Sequence, residues 1–278
     1  MRWITGNLRN QETYVTGQQP LTPQELNYTQ SLTLSDHGST WFRCDIVWGT
    51  TTIQGENYTA SVGYAAQVPR FSANGREGSK TVMEGHQVHL RCESEGRPTP
   101  TVFIYNNDND TVIRNNSSPV IDTFIARCED TATYTCSAWN EFSNKPDLVN
   151  SYNLSLYVGC KPRSYSANDI GKIPFRNKTE ELMFDIISYP VPHKYEIWFV
   201  GPVLNSSISS SEKYSDSVMN VTCNTQPNRK YMARCKLTVF NILSEYGLYK
   251  LLVINEHGNE TFTVEIIHST TDTTRTLA

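Results

Sequence analysis

The side chains of this 278-residue chain best equipped for chemistry are six histidines, a run of asparagines and aspartates, scattered carboxylate pairs and seven cysteines. His86 and His89, in HQVH, stand three apart, so on a strand they face opposite ways and cannot hold one metal ion together. The stretch NNDNDTVIRNN alternates Asn106, Asp108 and Asp110 much as a calcium loop does. A helix-loop-helix calcium site needs Gly at its sixth position and Glu at its twelfth, whereas Thr111 and Ser117 occupy them here; a glycosylated turn between two strands fits better. Glu129 with Asp130 and Glu180 with Glu181 read as solvated turn or strand-start residues. No G-x-S-x-G elbow, phosphate-cradling glycine loop or H-E-x-x-H pair occurs. The sequence therefore predicts no enzyme, no cofactor and no metal.

The cysteines point elsewhere. None forms a C-x-x-C pair and none sits in a Cys/His cluster of zinc-ligand spacing, which favours disulfides and hence an oxidising compartment. Ten Asn-x-Ser/Thr acceptors agree: Asn27, Asn57, Asn109, Asn115, Asn116, Asn153, Asn177, Asn205, Asn220 and Asn259. The expected location is extracellular, as a cell-surface ectodomain or a secreted protein, with N-linked glycans. With 24 Lys and Arg against 28 Asp and Glu and no long run of like charge, the chain lacks the footprint of a nucleic-acid or anionic-lipid binder. MRWITGNLRNQ has no apolar leader core, and no stretch approaches ~18 consecutive apolar residues. The chain is expected to be a fragment, joined to a membrane only through a segment outside this sequence, and STTDTTRTLA reads as a Thr-rich stalk or a frayed terminus.

The elements that would position such residues are strands. The chain is rich in Thr, Ser and Tyr and poor in Ala/Leu/Glu/Lys runs, which predicts an all-β protein. EDTATYTCSAWNEF, residues 129–142, recurs in altered form: SEYGLYKLLVINEHGN places Tyr249, Leu251 and Asn255 where Tyr134, Cys136 and Asn140 stand, and LSDHGSTWFRCDIVWG offers Phe42 and Cys44. Three copies about 92 and about 115 residues apart define three modules. In a strand Tyr134, Cys136 and Ala138 share one face, Thr135, Ser137 and Trp139 the other. Upstream, Val88, Leu90 and Cys92 share a face of an earlier strand, making Cys92 and Cys136 facing partners across two sheets. Closing that loop is worth roughly 4 kcal/mol in the chain-entropy model.

C-x(5)-P-x-P after Cys92 and D-T-A-T-Y-x-C-x-A-x-N around Cys136 resemble the I-set and C2-type modules of the immunoglobulin superfamily. The match is specific for residues 68–158. It implies tandem immunoglobulin-like β-sandwiches, the first truncated at its N-terminus, over 1–67, 68–158 and 159–268, with 269–278 as tail. It also implies a tyrosine corner, the Tyr134 hydroxyl returning to the backbone near Asp130. Phe103 and Ile104 stand where the family's strand C Trp is usual, and in the third module Phe184 and Leu251 replace both pin cysteines while Trp198 supplies the strand C Trp. In the first module Trp3 is the expected core Trp, LTLSDHGSTWFRC resembles the corresponding passage of nectin- and nephrin-like modules, and Cys44 is left unpaired; the rival reading makes residues 1–43 a leader of another fold. The loosely kept pin resembles invertebrate receptors more than vertebrate ones. Cys128 with Cys160 would stiffen the linker VGCKPRS, the alternative being two unpaired thiols at that boundary, and Cys223 with Cys235 would clamp a hairpin. What the resemblance implies about function is recognition: an adhesion or immune-type receptor ectodomain meeting a protein ligand or a second copy, with Trp41 and Trp48 as candidates for either interface or core. A secreted binding or defence protein, or appendages of a larger extracellular enzyme, are the rivals.

Overall fold

The computed structural model describes residues 2–7, 11–15, 28–143, 150–166, 169–175, 179–202, 218–240 and 246–268. Among them the regular structure is strands plus two single-turn 3-10 helices, Leu34–Asp36 and Cys128–Asp130. The all-β class of tandem sandwiches read from the sequence is what the structure shows. The chain forms two compact units: Met1–Val68 with Ser94–Thr101 and Ala138–Asn150, and Pro69–Glu93 with Val102–Ser137 and Ser151–Ala278.

In the first unit β1 (Arg2–Asn7), β2 (Gln11–Val15), β3 (Thr40–Trp48), β4 (Thr51–Ile53) and β5 (Tyr58–Thr59) form one sheet. β1 lies antiparallel between β2 and β3, pairing Trp3 with Cys44 and Ile4 with Arg43. The buried positions of β1 are Ile4 and Gly6, and Trp3 is half-buried. Trp3 is therefore not the core Trp expected of this strand.

The second unit holds β6 (Arg70–Ala73), β7 (Arg76–Glu77), β8 (Ser79–Met83), β9 (Gln87–Glu93), β10 (Thr101–Asn106), β11 (Thr111–Ser117), β12 (Val120–Ile125), β13 (Ala132–Trp139) and β14 (Asn150–Ser164), followed by β15 (Asp169–Phe175), β16 (Glu180–Tyr189), β17 (Lys194–Gly201), β18 (Met219–Gln226), β19 (Arg229–Val239), β20 (Gly247–Asn255) and β21 (Gly258–His268). Two four-stranded sheets, β12-β9-β6-β7 and β15-β21-β20-β17, face one eight-stranded sheet in the order β11-β10-β13-β14-β16-β19-β18, with β8 alongside β14.

Alternation builds both cores. Val88, Leu90 and Cys92 of β9 and Tyr134 and Cys136 of β13 are buried together with Phe71, Val102, Ile104 and Leu156, one face of each strand turning inward. The second core gathers Phe184, Ile186, Leu237, Tyr249, Leu251 and Phe262. There Ile197 of β17, paired with Leu251, takes the inward place, while Trp198, paired with Lys250, is half-buried. The strand C Trp expected in the third module thus gives way to an isoleucine one residue earlier.

VGCKPRS is not a loop between modules. β14 runs unbroken for 15 residues, pairing with β8 at Ser155 to Gly159 and then with β16 from Cys160 to Ser164. One strand closes the first sandwich and opens the second, so the two cores share a backbone rather than a hinge.

Candidate functional site

β3 lays out the side chains of the first unit. Arg43 and Asp45 are buried, and Phe42 and Cys44, expected to face the core, are only half-buried. The buried pair is satisfied internally: Arg43 Nε donates to Asp45 Oδ1 at 2.8 Å, the Gly55 amide donates to the same oxygen at 3.3 Å, and Arg2 stands 3.8 Å from Asp45 Oδ2. The bond from Arg43 holds the Asp45 carboxyl below the usual carboxylate range. A buried charge persists only when paired in this way.

The two candidate tryptophans part here. The Trp41 indole lies against the backbone of Gly6, and the Arg43 guanidinium stands 5.4 Å from its ring centre; Trp41 is packing. Trp48 is 81% exposed at the end of a hairpin whose Gly49 takes a left-handed φ of 60°, a conformation that glycine adopts without strain. The hairpin pairs Ile46 with Ile53 and Trp48 with Thr51, and Ile46, Val47 and Ile53 are also exposed. Trp3, Tyr28, Phe42 and Tyr58 line a cleft of about 320 Å³ in the same unit, with Tyr28 ring-to-ring at 6.4 Å from Trp3 and 6.2 Å from Phe42. Among the described residues, this unit therefore displays aromatic and aliphatic surface with no titratable group poised for catalysis beside it. The Cys44 thiol is free.

The remaining cysteines are bonded. Cys92 to Cys136 spans the first sandwich of the second unit with Cα atoms 5.9 Å apart, and Cys223 to Cys235 joins directly paired residues of β18 and β19 at 4.0 Å. Cys128 to Cys160 joins the 3-10 turn before β13 to β14, at 5.7 Å. The Tyr134 hydroxyl donates to the Asp130 carbonyl at 2.8 Å, and burial pushes that phenol's pKa well above the ordinary tyrosine range.

Around Cys160 the second unit is tied tightly. Arg163 donates to both carboxylate oxygens of Glu84 at 2.8 and 2.7 Å and to those of Glu129 at 2.9 and 3.0 Å. Such forked pairs fix geometry as well as charge. Lys230 reaches Thr133 Oγ1 at 2.8 Å, and the Tyr157 and Tyr189 rings stack at 5.4 Å. Asn255, 3% exposed, donates from Nδ2 to the Cys160 carbonyl at 2.7 Å, the Pro190 carbonyl at 3.1 Å and Ser188 Oγ at 3.2 Å. In the first unit Asn140 repeats the arrangement, donating to the Tyr64 and Pro98 carbonyls at 2.8 and 2.9 Å. Each asparagine fastens the end of its strand to the chain that enters its own module. The sequence aligns the two asparagines but shows no role for them; their recurrence four residues past Cys136 and Leu251 is the signal it carries.

Asn57, Asn109, Asn115, Asn116, Asn153, Asn220 and Asn259 are all exposed, and Asn27, Asn177 and Asn205 lie outside the described residues. His86 and His89 are exposed. Among the described residues no group of His, Cys, Asp or Glu could hold a metal ion, and no helix is long and apolar enough to cross a membrane.

Comparison with known proteins accords with this geometry. The immunoglobulin domain family matches residues 69–140, so the resemblance read around Cys92 and Cys136 is borne out. The solved structure of Dpr2 Ig1-Ig2 in complex with DIP-Theta Ig1-Ig3 is similar over 96% of this chain and 89% of that chain, with a TM-score of 0.62 at 17% identity, a likeness of fold. Peroxidasin homolog pxn-1 of Caenorhabditis elegans is 29% identical over 117 residues, 38% of this chain and 9% of that protein's length.

Proposed function

We propose that this chain is a protein-recognition fragment of an extracellular immunoglobulin-superfamily receptor, built from modules 1–67, 68–158 and 159–268 and acting in cell adhesion or immune-type recognition. The observation that carries this reading is the β3 to β4 hairpin: Trp48 at 81% exposure beside exposed Ile46, Val47 and Ile53. Exposed tryptophan within an apolar patch is what a binding anchor looks like before its partner arrives. Three disulfides and exposed acceptor asparagines support an extracellular or cell-surface location, and the solved structure similar in fold is a complex between such proteins. The stiff second unit then serves as the scaffold that carries the recognition module.

The test is an ectodomain array. The secreted chain, multimerised to raise avidity, is offered to cell-surface ectodomains and to itself. A specific protein ligand lost with Trp48→Ala supports the proposal; a ligand retained by that variant at full strength contradicts it. A second reading, modules appended to a larger extracellular protein, rests on the 117-residue match to 9% of the much longer peroxidasin homolog; a full-length transcript encoding a catalytic domain in the same chain would favour it.

A further inference from the structure

Among the described residues the eight-stranded sheet of the second unit has β11 at one end and β18 at the other, with β8, SKTVM, as a further outer strand beside β14 that already carries a lysine, Lys80. An end strand presents a row of backbone N–H and C=O groups to solvent, a ready template for pairing with another chain, and proteins usually blunt it with lysine, proline or a cover. Neither strand uses lysine or proline: β11 is TVIRNNS and β18 is MNVTCNTQ. The surroundings of β11 are apolar, whereas β18 borders Arg234 and Lys236 as well as Met183. β12 ends the facing sheet beside β11, with Arg114 Nε donating to Asp122 Oδ1 at 2.8 Å between them, and Val112, Ile121 and Ile125 there are 56%, 53% and 57% exposed. Near β18, Met183 is 54% exposed. What both ends do carry are exposed glycan acceptors, Asn115 and Asn116 within β11 and Asn220 within β18.

We propose that N-linked glycans at Asn115 or Asn116 and at Asn220 cap the two ends of this sheet and keep the chain monomeric where the bare sheet would pair edge to edge with a second copy. The Asn Nδ2 takes the anomeric carbon of an oligosaccharide from a lipid-linked pyrophosphate donor. A C–N bond forms as the C–O bond to pyrophosphate breaks, and one amide proton leaves to solvent. A branched sugar on an end strand blocks approach along the hydrogen-bonding direction, which a lone methylene side chain cannot do. Asn153 in β14 and Asn259 in β21 sit on inner strands and are not part of the cap. The inference holds whichever partner the Trp48 hairpin takes.

The experiment uses the full chain secreted from eukaryotic cells. Glycopeptide mapping is expected to find sugar on Asn220 and on Asn115 or Asn116. The Asn115→Gln, Asn116→Gln, Asn220→Gln variant is expected to self-associate in sedimentation velocity at concentrations at least tenfold below those at which the glycosylated chain does. The Asn153→Gln, Asn259→Gln control stays monomeric, and adding Val112→Lys and Thr222→Lys to the sugar-free triple variant restores the monomer. Where the triple variant is not secreted, enzymatic removal of glycans from the folded chain gives the same reading. Bare acceptors at either end, a stripped chain as monomeric as the glycosylated one, or a control that associates equally would each overturn the proposal.

Discussion

Replacing Asn255 by aspartate tests, at a single side chain, the tie between β20 and the chain that enters its own sandwich. The side chain is 3% exposed; its Nδ2 donates to the Cys160 and Pro190 carbonyls and to Ser188, and its Oδ1 accepts from the His257 amide at 2.8 Å. An ionised carboxylate at this position keeps the last bond and loses every donor, leaving the buried Cys160 carbonyl without that bond and facing a negative charge, while the half-buried Pro190 carbonyl keeps only the bond from Ser188 Oγ. Each buried acceptor stripped of its partner costs about 1–3 kcal/mol, so the substitution is expected to remove about 3–5 kcal/mol at pH 7. Desolvation raises the carboxyl's pKa in the folded state above its unfolded value of about 3.9. A group with a raised folded pKa stabilises when protonated, so the variant regains stability as pH falls through the folded value, and its deficit shrinks by about half near pH 4 as the protonated acid donates one bond again. Urea unfolding of the secreted chain, followed by tryptophan fluorescence and by hydrogen exchange of residues 160–268, reads the deficit. Ser188→Ala, which removes the 3.2 Å contact from Asn255 and the 2.8 Å bond that Ser188 Oγ donates to the Pro190 carbonyl, is expected to cost about 1–2 kcal/mol. An Asn255→Asp variant within about 0.5 kcal/mol of the parent at pH 7, a margin typical of inert surface substitutions, would refute the reasoning.

Further outcomes follow from the same geometry. Cys128→Ser with Cys160→Ser should lower stability by about 3–4 kcal/mol in the chain-entropy model, seen as a fall in the urea midpoint of the second unit. Tyr134→Phe removes the 2.8 Å bond to the Asp130 carbonyl and should cost about 1–2 kcal/mol, measured by the same unfolding. The Tyr195 phenol is pushed up to about 12 by burial; since its unfolded value is about 10, its contribution is complete below about pH 10 and is lost as pH rises through about 12. Ultraviolet titration should show tyrosines ionising late, together with unfolding, Tyr195 among them with Tyr134, and Tyr195→Phe should lower the amplitude of that step by one phenol.

Much of the fold was legible because period-two alternation is unambiguous where one face is polar. TATYTCSAW leaves no choice of face, and β13 buries Tyr134, Cys136 and Ala138 accordingly. YEIWFV offers apolar residues to both faces, so alternation could not separate Ile197 from Trp198, and a one-residue slip exchanges core for surface. WFRCDI misled in another way: the charged residues Arg43 and Asp45 are buried because they satisfy each other, which no hydrophobic pattern records. Gly159 and Pro162 lie in the segment read as the linker VGCKPRS, but the glycine leaves room that the His257 ring fills, and the proline falls in the register shift between Cys160 and Arg163, where a ladder N–H is not needed. The exposed Trp48 was visible as a candidate, but its separation from Trp41 required coordinates, since both lie on the same strand and only Gly6 and Arg43 decide which one packs.

The most direct test of recognition by the first unit is the affinity of Trp48→Ala for the ectodomain that the parent chain binds, measured beside Cys44→Ser as a control for handling of the free thiol. The account predicts at least a thirtyfold weaker complex, about 2 kcal/mol and typical of a buried aromatic anchor, with folding of the variant unchanged. Equal affinity for the parent and the Trp48→Ala chain would contradict it.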